Sequence, residues 1–161
     1  MAEPKTAPTK DITITRIFDA PRELVWKMWT EPERLKEWWG PKGWSSPTWK
    51  VDLRVEGNYI YCMRSPEGQD IWGTGSFIKI DAMSDLVYTD SFADANGNVV
   101  PARHYGFESE FPLEMLVSVH FEDLGGKTKV TLTHSGMPVS ETEGASTGWS
   151  ESFDKLAESL K

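Results

Sequence analysis

From residue 48 onward the apolar residues of this chain recur at every second position, in runs separated by short turns. That pattern constrains the fold most, because a period of two is the signature of half-buried strands. Four successive runs cover residues 48–55, 58–64, 69–80 and 85–92. They are separated by Gly57, by Ser65-Pro66-Glu67-Gly68 and by Asp81-Ala82-Met83-Ser84. Parallel strands need a crossover of about a dozen residues or more, so these turns predict an antiparallel meander. A longer connection over residues 94–110 turns at Asn96-Gly97, a hairpin-type pair. Two more strands are expected at 113–121 and 127–134, joined at Gly125-Gly126. Residues 11–18 (DITITRIF) alternate in the same way, which predicts seven strands.

Three helices interrupt or end the strand pattern. Asp19-Ala20-Pro21 starts one, with Asp19 or Ala20 as cap, and Leu24, Val25, Met28 and Trp29 form its apolar stripe. A second short helix over residues 30–39 has Thr30 as N-cap, Pro32 in its first turn and Glu33 closing a capping box; Gly40-Pro41 ends it. The last is the clearest. Ser140-Glu141-Thr142-Glu143 reads as a capping box, and Trp149, Phe153, Leu156 and Leu160 then fall on one helical face. That face must be buried, and one face of the sheet is the only large apolar surface available. The expected architecture is therefore α+β: a curved antiparallel sheet holding a long C-terminal helix, with two short helices after the first strand. A sheet of this many twisted strands curls, and a helix across its concave side leaves a space. Gly144 and Gly148 sit inside that helix at a cost of about 1 kcal/mol each relative to Ala, which suggests a close approach there by another backbone or by a ligand.

The 161 residues suit one domain over residues 11–161, behind a polar, disordered tail at residues 1–10. The formal net charge of −8 argues against nucleic acid, whose affinity depends on Lys and Arg at phosphates, and against anionic membrane surfaces. Cys62 is the only cysteine, so no intrachain disulfide can form, which fits a reducing compartment. With no apolar signal core and no run long enough to span a bilayer, the expected location is the cytoplasm.

Several motifs look chemical and are read as structural. His104, His120 and His134 are scattered and no Cys pair exists, so no metal or other cofactor is expected. Gly73-Thr74-Gly75 has Ile78 where a dinucleotide fingerprint needs glycine, and it lies within a strand; a bend is the simpler reading. Gly144-Ala145-Ser146-Thr147-Gly148 matches the hydrolase nucleophile pattern but follows a helix cap, not a buried strand, so Ser146 reads as an ordinary helix residue. Glu108, Glu110 and Glu114 read as a solvated face.

What remains is an excess of aromatics: eight Trp, seven Phe and four Tyr, with six of the eight Trp between Trp26 and Trp49. Rings with polar handles lining a roomy interior describe a small-molecule pocket. The expected lining combines Tyr61, Trp72 and Phe77 from strands with Trp149 and Phe153 from the helix, and Trp38 near the mouth. Trp72 and Phe77 lie on opposite faces of a regular strand, so both can face inward only if Gly73 or Gly75 makes a bulge.

The order of several short motifs also resembles a known family. They are Phe18-Asp19-Ala20-Pro21 with Val25-Trp26, Trp29-Thr30-Glu31-Pro32-Glu33, Trp38-Trp39-Gly40-Pro41 and the run from Val51 to Gly57. Further on come Val119-His120-Phe121-Glu122-Asp123, Gly126-Lys127-Thr128, His134-Ser135-Gly136-Met137-Pro138, and Gly148-Trp149 with Leu156. Over residues 11–160 the chain resembles the START/SRPBCC superfamily, and within it the family named for the C-terminal domain of the heat-shock chaperone ATPase activator. The resemblance implies the helix-grip fold, a deep cavity between sheet and C-terminal helix, and a hydrophobic compound as ligand. It supplies no catalytic residue. Chaperone-activating members carry an additional N-terminal domain for which 161 residues leave no room, so a chaperone-interaction module ranks below the other readings. The leading expectation is a protein that binds a hydrophobic small molecule. The alternative is a cyclase-, hydratase- or hydrolase-type enzyme in the same cavity, with His134 as its acid-base candidate because it shares the parity of Val130 and Leu132.

Overall fold

Isoleucine and threonine alternate along the first strand, and in a computed structural model, which describes residues 8–161, that strand runs from Thr9 to Phe18 (β1). Its side chains at 12, 14, 16 and 18 turn inward, and Ile12 and Phe18 are buried. β1 starts two residues earlier than expected, because Thr9 and Lys10 pair with Pro138 and Met137. Residues 1–7 of the expected tail lie outside the described residues. Two short helices follow, Arg22–Thr30 (α1) and Pro32–Trp38 (α2). The chain then forms β2 (Ser45–Val51), β3 (Asn58–Arg64), β4 (Asp70–Asp81), β5 (Asp85–Ala93), β6 (Met115–Asp123) and β7 (Thr128–Pro138), and ends in α3 (Thr142–Ser159).

The seven strands make one antiparallel sheet in the order β1-β7-β6-β5-β4-β3-β2. The meander forms as its short turns require. β1 closes onto the last strand, so α3 emerges beside the first strand and lies over it. The helix is clamped from both sides. Arg16 of β1 reaches Asp154 at 2.8 Å, and Lys155 Nζ donates to the carbonyls of Pro41 (3.3 Å) and Trp44 (3.0 Å). This is the helix-grip arrangement: a curved sheet holding a long helix against its concave side.

Both expected capping boxes fail to form. Thr30 belongs to the end of α1, where its hydroxyl donates to the Trp26 carbonyl, and Glu31 caps α2 without a side-chain bond. At the last helix, residues 139–141 form a 3-10 turn, and Glu141 occupies the cap with its carboxylate taken by Ser109 at 2.7 Å. Ser140 pairs with Ser109 instead of a helix N–H. In each case a partner distant in sequence or an i–4 carbonyl outcompetes the local cap.

The core is largely aromatic. Trp29 is its hub, within 6.2 Å centroid distance of Trp38, Trp39, Phe121, Trp149 and Phe153. These rings come from α1, α2, β6 and α3, so the short helices and the long one share a single interior with the sheet. Among the described residues no helix is long and apolar enough to cross a membrane.

Candidate functional site

Leu86, Tyr88, Asp90 and Phe92 share one parity of β5, the parity that faces α3. The strand thus carries a carboxylate inward among aromatic side chains. Beside it a cavity of about 180 Å³ lies between sheet and helix. Its floor is built by Tyr61 and Met63 of β3, Asp90 and Phe92 of β5, Met115 of β6 and His134 of β7. The helix side is a stripe of small residues, Ala145, Gly148 and Ser152, spaced three and four apart, with Trp149 beside them. Trp39, Gly40 and Pro41, just past the end of α2, form the rim, and Phe111 reaches in from the β5–β6 connection.

A carboxylate and an imidazole stand in this mostly apolar lining. The Asp90 Oδ1 accepts from the hydroxyls of Tyr59 (3.2 Å) and Tyr61 (3.3 Å). Burial pushes the Asp90 carboxyl up to about 6, against the lowering effect of the Tyr59, Tyr61 and Ser91 donors. Burial likewise lifts the three phenols Tyr59, Tyr61 and Tyr88 well above their ordinary value. On the other side His134 is 5% exposed, and burial lowers it to about 4, so the ring is neutral at pH 7. The Trp149 indole N–H donates to His134 Nδ1 at 3.1 Å. An indole N–H only donates, so Nδ1 is bare and the proton sits on Nε2. That Nε2 is buried without a partner among the described residues.

The six residues expected to line a pocket, together with His134, fall into four groups. Tyr61, His134 and Trp149 do line the cavity. Trp38 and Phe153 are wholly buried in the core and are not at a mouth; Trp38 donates to the Met28 carbonyl at 2.8 Å, and its neighbour Trp39 takes the cavity position. Phe77 faces inward but packs against Tyr59 and Tyr88, away from the cavity. Trp72 is on the opposite face of β4, where its backbone N–H meets the Tyr105 hydroxyl. Gly73 and Gly75 introduce no bulge, since the β4–β5 register holds from Trp72 to Phe77 and shifts only beyond it. What both positions require is the absence of a side chain. A Cβ on Gly73 would stand 2.4 Å from the Tyr61 ring, and one on Gly75 would stand 1.9 Å from the Thr89 carbonyl oxygen. Sequence reading missed Asp90, although a charged residue at the inward parity between Tyr88 and Phe92 was the available signal.

No other backbone approaches the helix glycines closely, and Gly148 lines the cavity. A Cβ on Gly144 would meet nothing within 4 Å, and one on Gly148 only an ordinary contact with Pro41 at 3.5 Å. Ser146 lies in the body of α3, not on a strand-to-helix turn. Glu108, Glu110 and Glu114 are exposed. Burial holds the Cys62 thiol at about 11, which makes it a poor nucleophile. Among the described residues no group of three or more His, Cys, Asp or Glu side chains could hold a metal ion.

Solved structures with the same architecture come from several bacteria. A protein from Nitrosomonas europaea is 26% identical, with a TM-score of 0.74 and 92% of each chain covered. One from Arthrobacter aurescens is 25% identical, with a TM-score of 0.77 over 97% of this chain and 92% of that one. A Mycobacterium smegmatis protein, 22% identical, shares the fold with a TM-score of 0.78 over 98% of both chains. No curated protein matches the chain by sequence. The model of one family, described as Activator of Hsp90 ATPase homolog 1-like protein, matches residues 19–161, from the turn before α1 to the end of α3. With its helix-grip sheet, its cavity under α3 and this match over most of its length, the chain belongs to the Activator of Hsp90 ATPase homolog 1-like family.

Proposed function

We propose that this protein binds a small hydrophobic molecule in the cavity between the sheet and α3. The observation that carries the reading is the stripe Ala145, Gly148 and Ser152 facing an aromatic floor. A helix selected only for packing would fill that face with Leu or Met; here it is kept small, and the space beside it stays open. The volume sets the size of ligand. An engineered apolar cavity of about 150 Å³ holds benzene, so about 180 Å³ suits one substituted ring and not a long-chain lipid. Family membership supports the reading, since the fold commonly serves hydrophobic ligands.

The test is a titration with single-ring compounds, followed by Trp fluorescence and thermal melting. Trp39 and Trp149 line the cavity, so an occupant should quench saturably, and it should raise the melting temperature by mass action. Ala145→Leu, which fills the cavity from the helix side, should abolish both signals while the protein still melts cooperatively. Absence of quenching and of a thermal shift across the series would overturn the proposal.

One observation favours a second reading, an enzyme acting in the same cavity: the Asp90 carboxyl, near 6, is in the range of a general acid-base. Turnover of a bound compound that Asp90→Asn abolishes without loss of binding would establish it.

A further inference from the structure

We propose that the ligand is a neutral ring compound with an O–H or N–H donor at one end and a carbonyl-type acceptor at the other, held by Asp90 and His134. The inference rests on the binding reading above and names the chemistry of the occupant.

Beyond the backbone N–H of Ser91, Asp90 has only weak donors. Tyr59 has one hydroxyl proton, and it lies 2.6 Å from the Thr89 carbonyl but 3.2 Å from Asp90 Oδ1. That one proton is shared between the two acceptors, and Thr89 is the nearer. The Tyr61 hydroxyl, at 3.3 Å, is well beyond the usual length of about 2.5–2.7 Å for a hydroxyl donating to a carboxylate. No ion pair among the described residues involves Asp90. A carboxylate facing an apolar cavity with weak donors and no cation is an acceptor site in want of a donor.

His134 presents the opposite deficiency. Its Nδ1 is occupied by Trp149, its Nε2 carries the proton, and that proton has no acceptor. A buried donor without a partner is costly, and this one sits on a ring that lines the same cavity. Asp90 is on β5 and His134 on β7, with β6 between them. Met115 of β6 pairs directly with Asp90 and supplies apolar floor. An acceptor and a donor are therefore set apart across an apolar floor, with Trp39, Tyr61 and Trp149 as aromatic neighbours for a ring. A cationic amine would suit Asp90 but would offer His134 no acceptor.

Four matched probes test the assignment by calorimetric titration of the unmodified protein: ethylbenzene, 4-ethylphenol, acetophenone and 4-hydroxyacetophenone. Each satisfied polar group should tighten binding about tenfold, so 4-hydroxyacetophenone should bind about a hundredfold tighter than ethylbenzene, with the other two between. Asp90→Leu should erase the preference for the hydroxyl and leave that for the carbonyl; His134→Phe should do the reverse. Equal affinity for all four would overturn the donor–acceptor assignment and leave the binding reading standing. Tighter binding of 2-phenylethylammonium than of any neutral probe would overturn it in favour of a cation site. Failure of every compound to bind would overturn the binding reading itself. The probe series on the unmodified protein decides even if a variant does not fold.

Discussion

Asp90 and His134 act on stability in opposite directions as pH changes. Burial raises Asp90 from 3.8 to about 6, so the folded state holds its proton more tightly than the unfolded chain does. Its stabilising contribution is complete below 3.8 and is lost as pH rises through 6. Burial lowers His134 from 6.5 to about 4, so its contribution is complete above 6.5 and is lost as pH falls through 4. Shifts of about two units correspond to on the order of 3 kcal/mol each at most, and between pH 4 and 6 they largely cancel. Asp90→Asn should unmask the His134 slope: its stability relative to the parent protein should grow as pH rises from 4 to 6. His134→Phe should do the opposite. Urea denaturation at half-unit pH intervals checks both, and parallel profiles for parent and variants would contradict the burial of these groups. Gly73 supplies a second prediction at this scale. Its missing Cβ leaves room for the Tyr61 ring, so Gly73→Ala should cost on the order of 2 kcal/mol. Adding Tyr61→Ala removes the obstructing ring, and a double-mutant cycle should show the two changes costing less together than their sum.

α3 shows how one element serves two demands. Phe153 and Leu156 are wholly buried and tie the helix to the sheet and to α1 and α2, while Ala145, Gly148 and Ser152 on the neighbouring stripe leave the cavity open. The glycines separate the demands experimentally. Gly144 has open space around the position of a Cβ, so Gly144→Ala should gain about 0.5–1 kcal/mol from helix propensity alone and leave probe binding unchanged. Gly148→Ala should gain similar helix stability, because Pro41 at 3.5 Å is an ordinary contact, but should weaken binding by narrowing the cavity wall. Thermal melting and probe titration of the two variants give the comparison. Equal binding by both would show that the Gly148 stripe does not bound the ligand. α2 matters through where it stops. Trp38 closes the helix and turns into the core, whereas Trp39, in extended conformation at the C-cap, turns toward the cavity.

In the whole molecule, one cluster of buried apolar side chains, largely aromatic, joins α1, α2 and α3 to strands across the sheet. Unfolding should therefore be a single transition, with Trp fluorescence and far-UV circular dichroism giving coincident curves in urea; separated midpoints would show that the helices detach before the sheet melts. Much of this architecture was legible in the chain alone. The period-two runs and short turns determined seven antiparallel strands, and the spacing of Trp149, Phe153 and Leu156 determined which helical face is buried, because both periods follow from backbone geometry. Tyr61, His134 and Trp149 were identifiable as candidate lining on the same grounds. Tertiary structure decided the rest. Alternation says that Trp72 and Phe77 differ in direction but not which one faces the core; the rings of Tyr59 and Tyr61, lying across Gly75 and Gly73, settled that. Neighbours in sequence such as Trp38 and Trp39 were separated by a helix end that no local signal places to the residue. The pairing of Asp90 with His134 across one cavity exists only through the register of β5, β6 and β7, which brings together side chains 44 positions apart in the chain.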